Sequence, residues 1–170
     1  MKQLLLKARW IFVLILQFTL MACATGSNNM FFHSFSFSTI HDSPDVEVLD
    51  YQYGGSGIQA TYAPKERVAK GEVFGQDLMA GVMPRGEFLY VKWRLKETGQ
   101  VYEDKVDLRN RLPADITNYE IHFAIKGPQL YIYAMPPPGR WPAVWLRNPV
   151  ISPEIEALLK KHQIYPDPAK

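Results

Sequence analysis

The residue with the most specific chemistry in this sequence is Cys23, the chain's sole cysteine, and its neighbours read as a processing site. Leu20-Met21-Ala22-Cys23 places a branched apolar residue three positions before the cysteine and a small one directly before it. That spacing suits a peptidase that cuts before a cysteine whose thiol carries diacylglycerol. Ahead of it, Lys2, Lys7 and Arg9 form a basic end, and Trp10 to Leu20 (WIFVLILQFTL) an apolar core, the order of a secretory signal. A transmembrane helix needs roughly 20 apolar residues, and Gln17 and Thr19 already interrupt this run, so a permanent span or an ordinary cleaved signal fits less well than lipidation. Acyl chains on the thiol and on the new amino terminus suffice for stable anchoring. Ala24, rather than Asp, follows the cysteine, which favours the outer membrane with the chain facing the periplasm. An acylated Cys23 leaves no thiol for a disulfide, although that compartment allows one.

Other residues offer weaker chemistry. Gly54-Gly55-Ser56-Gly57-Ile58 approaches a nucleophile elbow, but Ile58 stands where the last glycine belongs, so Ser56 reads as a turn serine. His33, His41, His122 and His162 are scattered, with none of the i,i+4 or H-x-H spacings that bring two imidazoles to one metal, so no metal is expected. Glu103 and Asp104 point to opposite faces of a strand and cannot form a dyad. With Asp107 they are expected to pair with Lys92, Arg94 or neighbouring bases across the sheet. No glycine cluster has the strand-glycine-helix context of a phosphate or dinucleotide site, so no cofactor is expected either. Gly139 to Arg147 (GRWPAVWLR) puts Arg140, Trp141, Trp145 and Arg147 together after a proline run. Arg and Trp are enriched at binding hot spots, and these four are candidates for partner binding. The alternative is that Trp141 and Trp145 cap the open end of the fold and simply pack.

Three organisational units follow: a signal peptide over 1–22, a small polar tether over 23–30, and a β-rich periplasmic domain over 31–170. The chain of 170 residues carries 19 basic and 17 acidic side chains. Its basic excess lies in the leader, so the mature part is slightly acidic and nucleic-acid binding loses its compositional support.

The elements expected to position any site are strands. From Phe31 the sequence alternates, with His33, Phe35, Phe37 and Thr39 on one face and Ser34, Ser36 and Ser38 on the other. Val46 to Tyr53 also reads as extended, stopped by the glycines at 54–57. Residues 58–83, with mixed charge and no regular period, predict a long loop or one irregular strand. Phe88 to Leu95 and Val101 to Leu108 form a hairpin around Glu97-Thr98-Gly99-Gln100. A second hairpin joins Tyr119 to Lys126 with Gln129 to Met135 through Gly127-Pro128, and Pro136-Pro137-Pro138-Gly139 ends the sheet. Near the end, Ser152 caps a helix that Pro153 opens, with Ile155, Leu158, Leu159 and His162 on one face and Glu156 pairing with Lys160. Some six strands with frequent turns predict a mainly β fold, a single monomeric, antiparallel β-sandwich-like domain with a C-terminal helix.

The stretch from Gly86 to Met135 resembles a family of small proteobacterial envelope lipoproteins. The likeness rests on LYVKWR, VYEDKVDLR, RLP-x-DI and GPQLYIY, about a third of the chain. It brings no catalytic residue to carry over. Such lipoproteins are often encoded beside type VI secretion effectors, especially lipases, and several are similar to immunity proteins. The resemblance implies a non-enzymatic protein that binds a secreted effector and occludes its active site with a sheet edge or loop, complementary charge setting the specificity. A structural or assembly lipoprotein of an envelope complex is the alternative, and a lipid- or glycan-modifying enzyme a third.

Overall fold

A computed structural model describes residues 30–55, 59–137 and 153–167. They form two sheets and a short C-terminal helix, a mainly β fold. In chain order the elements are β1 (Met30–Ser38), β2 (Val46–Gly54), β3 (Gln59–Tyr62), α1 (Lys65–Ala69), β4 (Gln76–Pro84), β5 (Phe88–Leu95), β6 (Val101–Asp107), β7 (Glu120–Lys126), β8 (Gln129–Met135), α2 (Pro153–His162) and β9 (Gln163–Tyr165). One sheet has the order β4-β1-β7-β8-β9 and the other β3-β2-β5-β6.

The sheets pack face to face through alternate residues. Phe35 and Phe37 of β1, Ile121, Phe123 and Ile125 of β7, and Leu130 and Ile132 of β8 face Val48, Tyr51, Tyr53, Leu89, Val91 and Trp93 of the second sheet. Burying each large apolar side chain contributes about 1.5 to 3 kcal/mol, and this layer is the main source of stability. Its aromatic members interlock, with Phe37 and Phe123 stacked at 4.6 Å between centroids and Phe35 and Tyr53 at 5.0 Å. Trp93 donates its indole N–H to the Gly127 carbonyl at 3.0 Å, tying β5 to the turn between β7 and β8.

Several expectations need correction. Residues 58–83 contain β3, α1 and the nine-residue β4, not a long loop or one irregular strand. β4 lacks a readable alternation because its exposed row, Gln76, Leu78, Ala80 and Val82, is largely apolar, while its partly buried row holds Asp77, Met79, Gly81 and Met83. The first sheet is not purely antiparallel: β1 pairs with β7 in parallel, Ser34 opposite Glu120 and Ser36 opposite His122. In β2, Val46 and Val48 point inward, but so do Tyr51 and Tyr53, because a bulge between Val48 and Asp50 shifts the register and restores the inward row. After α2, Gln163–Tyr165 adds β9 to β8, too short to leave a periodic pattern.

The outer face of β7 and β8 is covered. Leu159 of α2 packs on Ala124 and Tyr133, with Tyr131 beside them. Leu158 and His162 are half-buried on the same helix. Among the described residues no helix is long and apolar enough to cross a membrane.

Candidate functional site

Two polar clusters sit in the first sheet, and both involve histidines that alternation places on known faces. His33, on the inner row of β1, approaches the Phe31 carbonyl through Nδ1 at 3.0 Å and the Tyr53 hydroxyl through Nε2 at 3.0 Å. The carbonyl can only accept, so Nδ1 carries the hydrogen and Nε2 accepts from the tyrosine. Tyr53 in turn accepts the Gly86 N–H at 3.2 Å. A neutral imidazole satisfies every link, and burial pushes the His33 pKa below 6.5, the Phe31 carbonyl opposing only in part. Burial likewise raises the Tyr53 hydroxyl well above the usual tyrosine range.

The second cluster joins Glu120, Ser36, His122 and Asp42. Ser36 Oγ lies 2.6 Å from Glu120 Oε1 and 2.7 Å from His122 Nδ1, and His122 Nε2 lies 2.7 Å from Asp42 Oδ2. Ser36 supplies the hydrogen of its bond to Glu120, and the donor and acceptor roles of the two imidazole nitrogens follow the tautomer. Burial raises the Glu120 pKa above its ordinary value, with the hydrogen bond from Ser36 and the charge of His122 pulling the other way. Ser43 extends the cluster, donating to Asp42 at 2.9 Å and accepting the Ile125 N–H at 2.8 Å. It thus replaces a ladder bond where β1 has already ended, and the loop between β1 and β2 is seated on β7.

Ser, His and Asp in a row suggest a hydrolytic triad, but Ser36 lacks what such a serine needs. It lies in mid-strand between β4 and β7, where the Ser34 N–H already goes to the Tyr119 carbonyl at 3.0 Å and the Ser36 N–H faces the same neighbour. The Glu120 carboxyl also occupies the space beside Oγ. The cluster's bonds tie β1, the β1–β2 loop and β7 together. Sequence reasoning missed it because its members are 80 to 86 residues apart; the available sign was a histidine in the polar row of a strand as apolar as β7.

The surface that stands out is the β4 edge. Edge strands are open to pairing unless they are short, charged, kinked or covered. Of the four sheet edges, β3 has four residues and β9 three. β6 carries Glu103, Asp104, Lys105 and Asp107. β4 runs for nine residues, pairs with β1 in unbroken register, and bears a single charge, Asp77, turned inward to accept the Tyr51 hydroxyl at 2.7 Å. On its outer row Leu78 is 71% and Val82 64% exposed, and Phe32 of β1, opposite Val82, is 53% exposed. On the inner side, a groove of about 530 Å³ runs between β4, β3 and α1, lined by Met79, Thr61, Tyr62, Lys65 and Glu66 among others. A smaller hollow of about 210 Å³ lies between α2 and the outer face of β7 and β8, beside Asp42, Tyr131, Tyr133 and Glu156. Burial there pushes the Tyr133 hydroxyl up to about 12, its acidic neighbours adding to the effect.

The remaining sequence candidates separate clearly. Cys23 with Leu20, Met21 and Ala22, the turn residue Ser56, and Arg140, Trp141, Trp145 and Arg147 lie outside the described residues. The acidic group on β6 is dispersed: Glu103 accepts the Tyr90 hydroxyl, Asp104 the Tyr165 hydroxyl, and Asp107 pairs with Arg109. Lys92 does stand opposite Glu103, but Arg94 pairs with Glu47 of β2 instead. Among the described residues no group of three or more His, Cys, Asp or Glu side chains could hold a metal ion.

Fold and surface together define a two-sheet β domain with a long, apolar edge strand that no other described strand covers. Compared with protein-family models, curated proteins and solved structures, the chain matches none.

Proposed function

We propose that this chain is an outer-membrane lipoprotein, anchored by acylated Cys23 and facing the periplasm, that binds a protein partner through the β4 edge. The observation that carries the reading is the exposed strip of Phe32, Leu78 and Val82 along a long edge strand whose outer row is uncharged. Contiguous exposed apolar surface on a folded domain marks an interaction site more often than chance. The likeness of Gly86–Met135 to envelope lipoproteins makes the partner a secreted effector, which the domain neutralises by occluding its active site. That task needs a rigid surface and no catalytic group.

The test is genetic. On this reading an effector gene lies beside this one: deleting this gene alone should leave cells open to killing by siblings that deliver the effector, while deleting both genes should be harmless where no sibling delivers it. A lone deletion as fit as the parent against armed siblings contradicts the reading. Stable co-purification of the full chain with an envelope complex instead would support an assembly role.

A further inference from the structure

The direction of each backbone group on β4 can be read from the bonds around it. The Thr39 N–H donates to the Gly75 carbonyl at 2.7 Å, and this pair continues the register in which Ser38 opposes Gln76. In an antiparallel ladder, hydrogen-bonded pairs alternate with non-bonded ones. Asp77, Met79, Gly81 and Met83 therefore turn their N–H and C=O toward β1. Gln76, Leu78, Ala80 and Val82 turn theirs away, where no described strand lies. The opposite side of β1 agrees: Ser34 and Phe32, even-numbered, bond to Tyr119 and Asn118 beside β7.

A strand laid along this edge would meet two distinct environments. Its outer side chains would pack against Leu78 and Val82. Its inner side chains would enter the groove beside Met79, between Thr61 and Tyr62 on one side and Lys65 and Glu66 on the other. We infer that β4 captures its partner by strand addition: an extended segment of another protein pairs with the backbone of Leu78, Ala80 and Val82 and inserts a side chain into the β3–β4 groove. The segment alternates apolar residues, facing out, with a polar or amphipathic residue able to sit between Thr61 and Tyr62 on one wall and the charged Lys65 and Glu66 on the other. Main-chain pairing supplies the affinity and the groove the selectivity.

A second copy of this chain is the poorer occupant. Full self-pairing of two β4 strands sets Gln76 opposite Pro84 and therefore Gly81 opposite Met79, so no side chain fills the groove at that point. The inference rests on the partner-binding reading above, and it fails separately from it.

The experiment uses the full-length lipidated chain in its own envelope, with a benzoylphenylalanine photocrosslinker in place of Tyr62, which lines the groove and is 47% exposed. Three backgrounds are compared: native, Ala80→Pro, and Ala80→Thr. Proline removes an outward N–H without breaking a bond to β1, and edge strands tolerate it at such positions; threonine keeps the N–H. The expected result is a product with another polypeptide, mapped to one extended segment, that falls at least tenfold in Ala80→Pro and less than threefold in Ala80→Thr. Should Ala80→Pro fail to accumulate folded, Val82→Pro removes the next outward donor and takes its place. A product of equal yield in a folded proline variant overturns strand addition and leaves partner binding standing. A product of two copies of this chain, a crosslink within one chain, or no product overturns the inference. A proline-sensitive product with a protein that is no secreted effector keeps strand addition and overturns the neutralising role.

Discussion

His33 on β1 and Tyr53 on β2 meet across the two sheets, ring centroids 5.8 Å apart and nearly perpendicular, with Nε2 hydrogen-bonded to the tyrosine hydroxyl. The pair places two polar groups in the buried core, and burial favours the neutral imidazole, which accepts from the tyrosine.

A pH dependence follows from it. The folded chain holds the His33 pKa below 6.5, so below that value the unfolded chain binds a proton that the folded one refuses. Stability from this group is present above pH 6.5 and is lost as the pH falls. Glu120 acts in the opposite sense: its raised pKa lets the folded chain hold a proton more readily, so its contribution declines as the pH rises above 4.5. Replacing His33 by Gln removes the first effect alone. Urea unfolding midpoints at pH 7.5 and 5.5 should drop less in His33→Gln than in the native chain; equal drops contradict the neutral assignment.

Gly86 lies under the same tyrosine. A methyl group added there would overlap the Tyr53 ring, and the Gly86 N–H bond to Tyr53 leaves little room to shift. Gly86→Ala is expected to destabilise by roughly 1 to 3 kcal/mol through overpacking. Gly81 on β4 has nothing within 4 Å of an added methyl, and Gly81→Ala should be near neutral. Thermal melts of the two variants side by side check the contrast.

The Asp42 carboxylate holds the β1–β2 loop to β7 through His122 and Ser43. Asp42→Ala removes one partner from each and is expected to cost about 1 to 3 kcal/mol. Hydrogen exchange should locate the loss: the Ile125 amide, bonded to Ser43 Oγ, should exchange faster in the variant than in the native chain. Unchanged protection there would contradict the seating of the loop.

The anchor has its own test. Cys23→Ser should abolish incorporation of labelled fatty acid and move the chain from the membrane to the soluble fraction. Continued labelling in the serine variant would show that acylation lies elsewhere.

What the sequence revealed depended on how each signal arises. β5, β7 and β8 are legible because one face, or both, is buried in a regular register, so alternation survives in FLYVKWRL and QLYIYAM. β2 shows two alternating runs out of phase, the mark of its bulge, which reads as a strand but hides which tyrosines point inward. β4 was unreadable for the reason that makes it interesting: its exposed row carries Leu78, Ala80 and Val82 and its partly buried row Asp77 and Gly81, so hydrophobicity does not track burial. The Ser36–His122–Asp42 cluster depends on a parallel pairing between β1 and β7, a long-range contact with no local trace in the chain. The sequence candidates for partner binding, Arg140, Trp141, Trp145 and Arg147, lie outside the described residues, and the surface argued for here rests on other side chains.

The central claim is that the β4 edge is the working surface, and it is tested most directly by protection assays in the deletion strain. Leu78→Lys combined with Val82→Lys places two charges on the exposed row without touching the core. Complementation with the native chain should restore survival against effector-delivering siblings. The double variant, lipidated and with an unchanged melting temperature, should restore it at least tenfold less well, since a tenfold loss of affinity corresponds to about 1.4 kcal/mol. Full protection by the folded double variant would contradict the account.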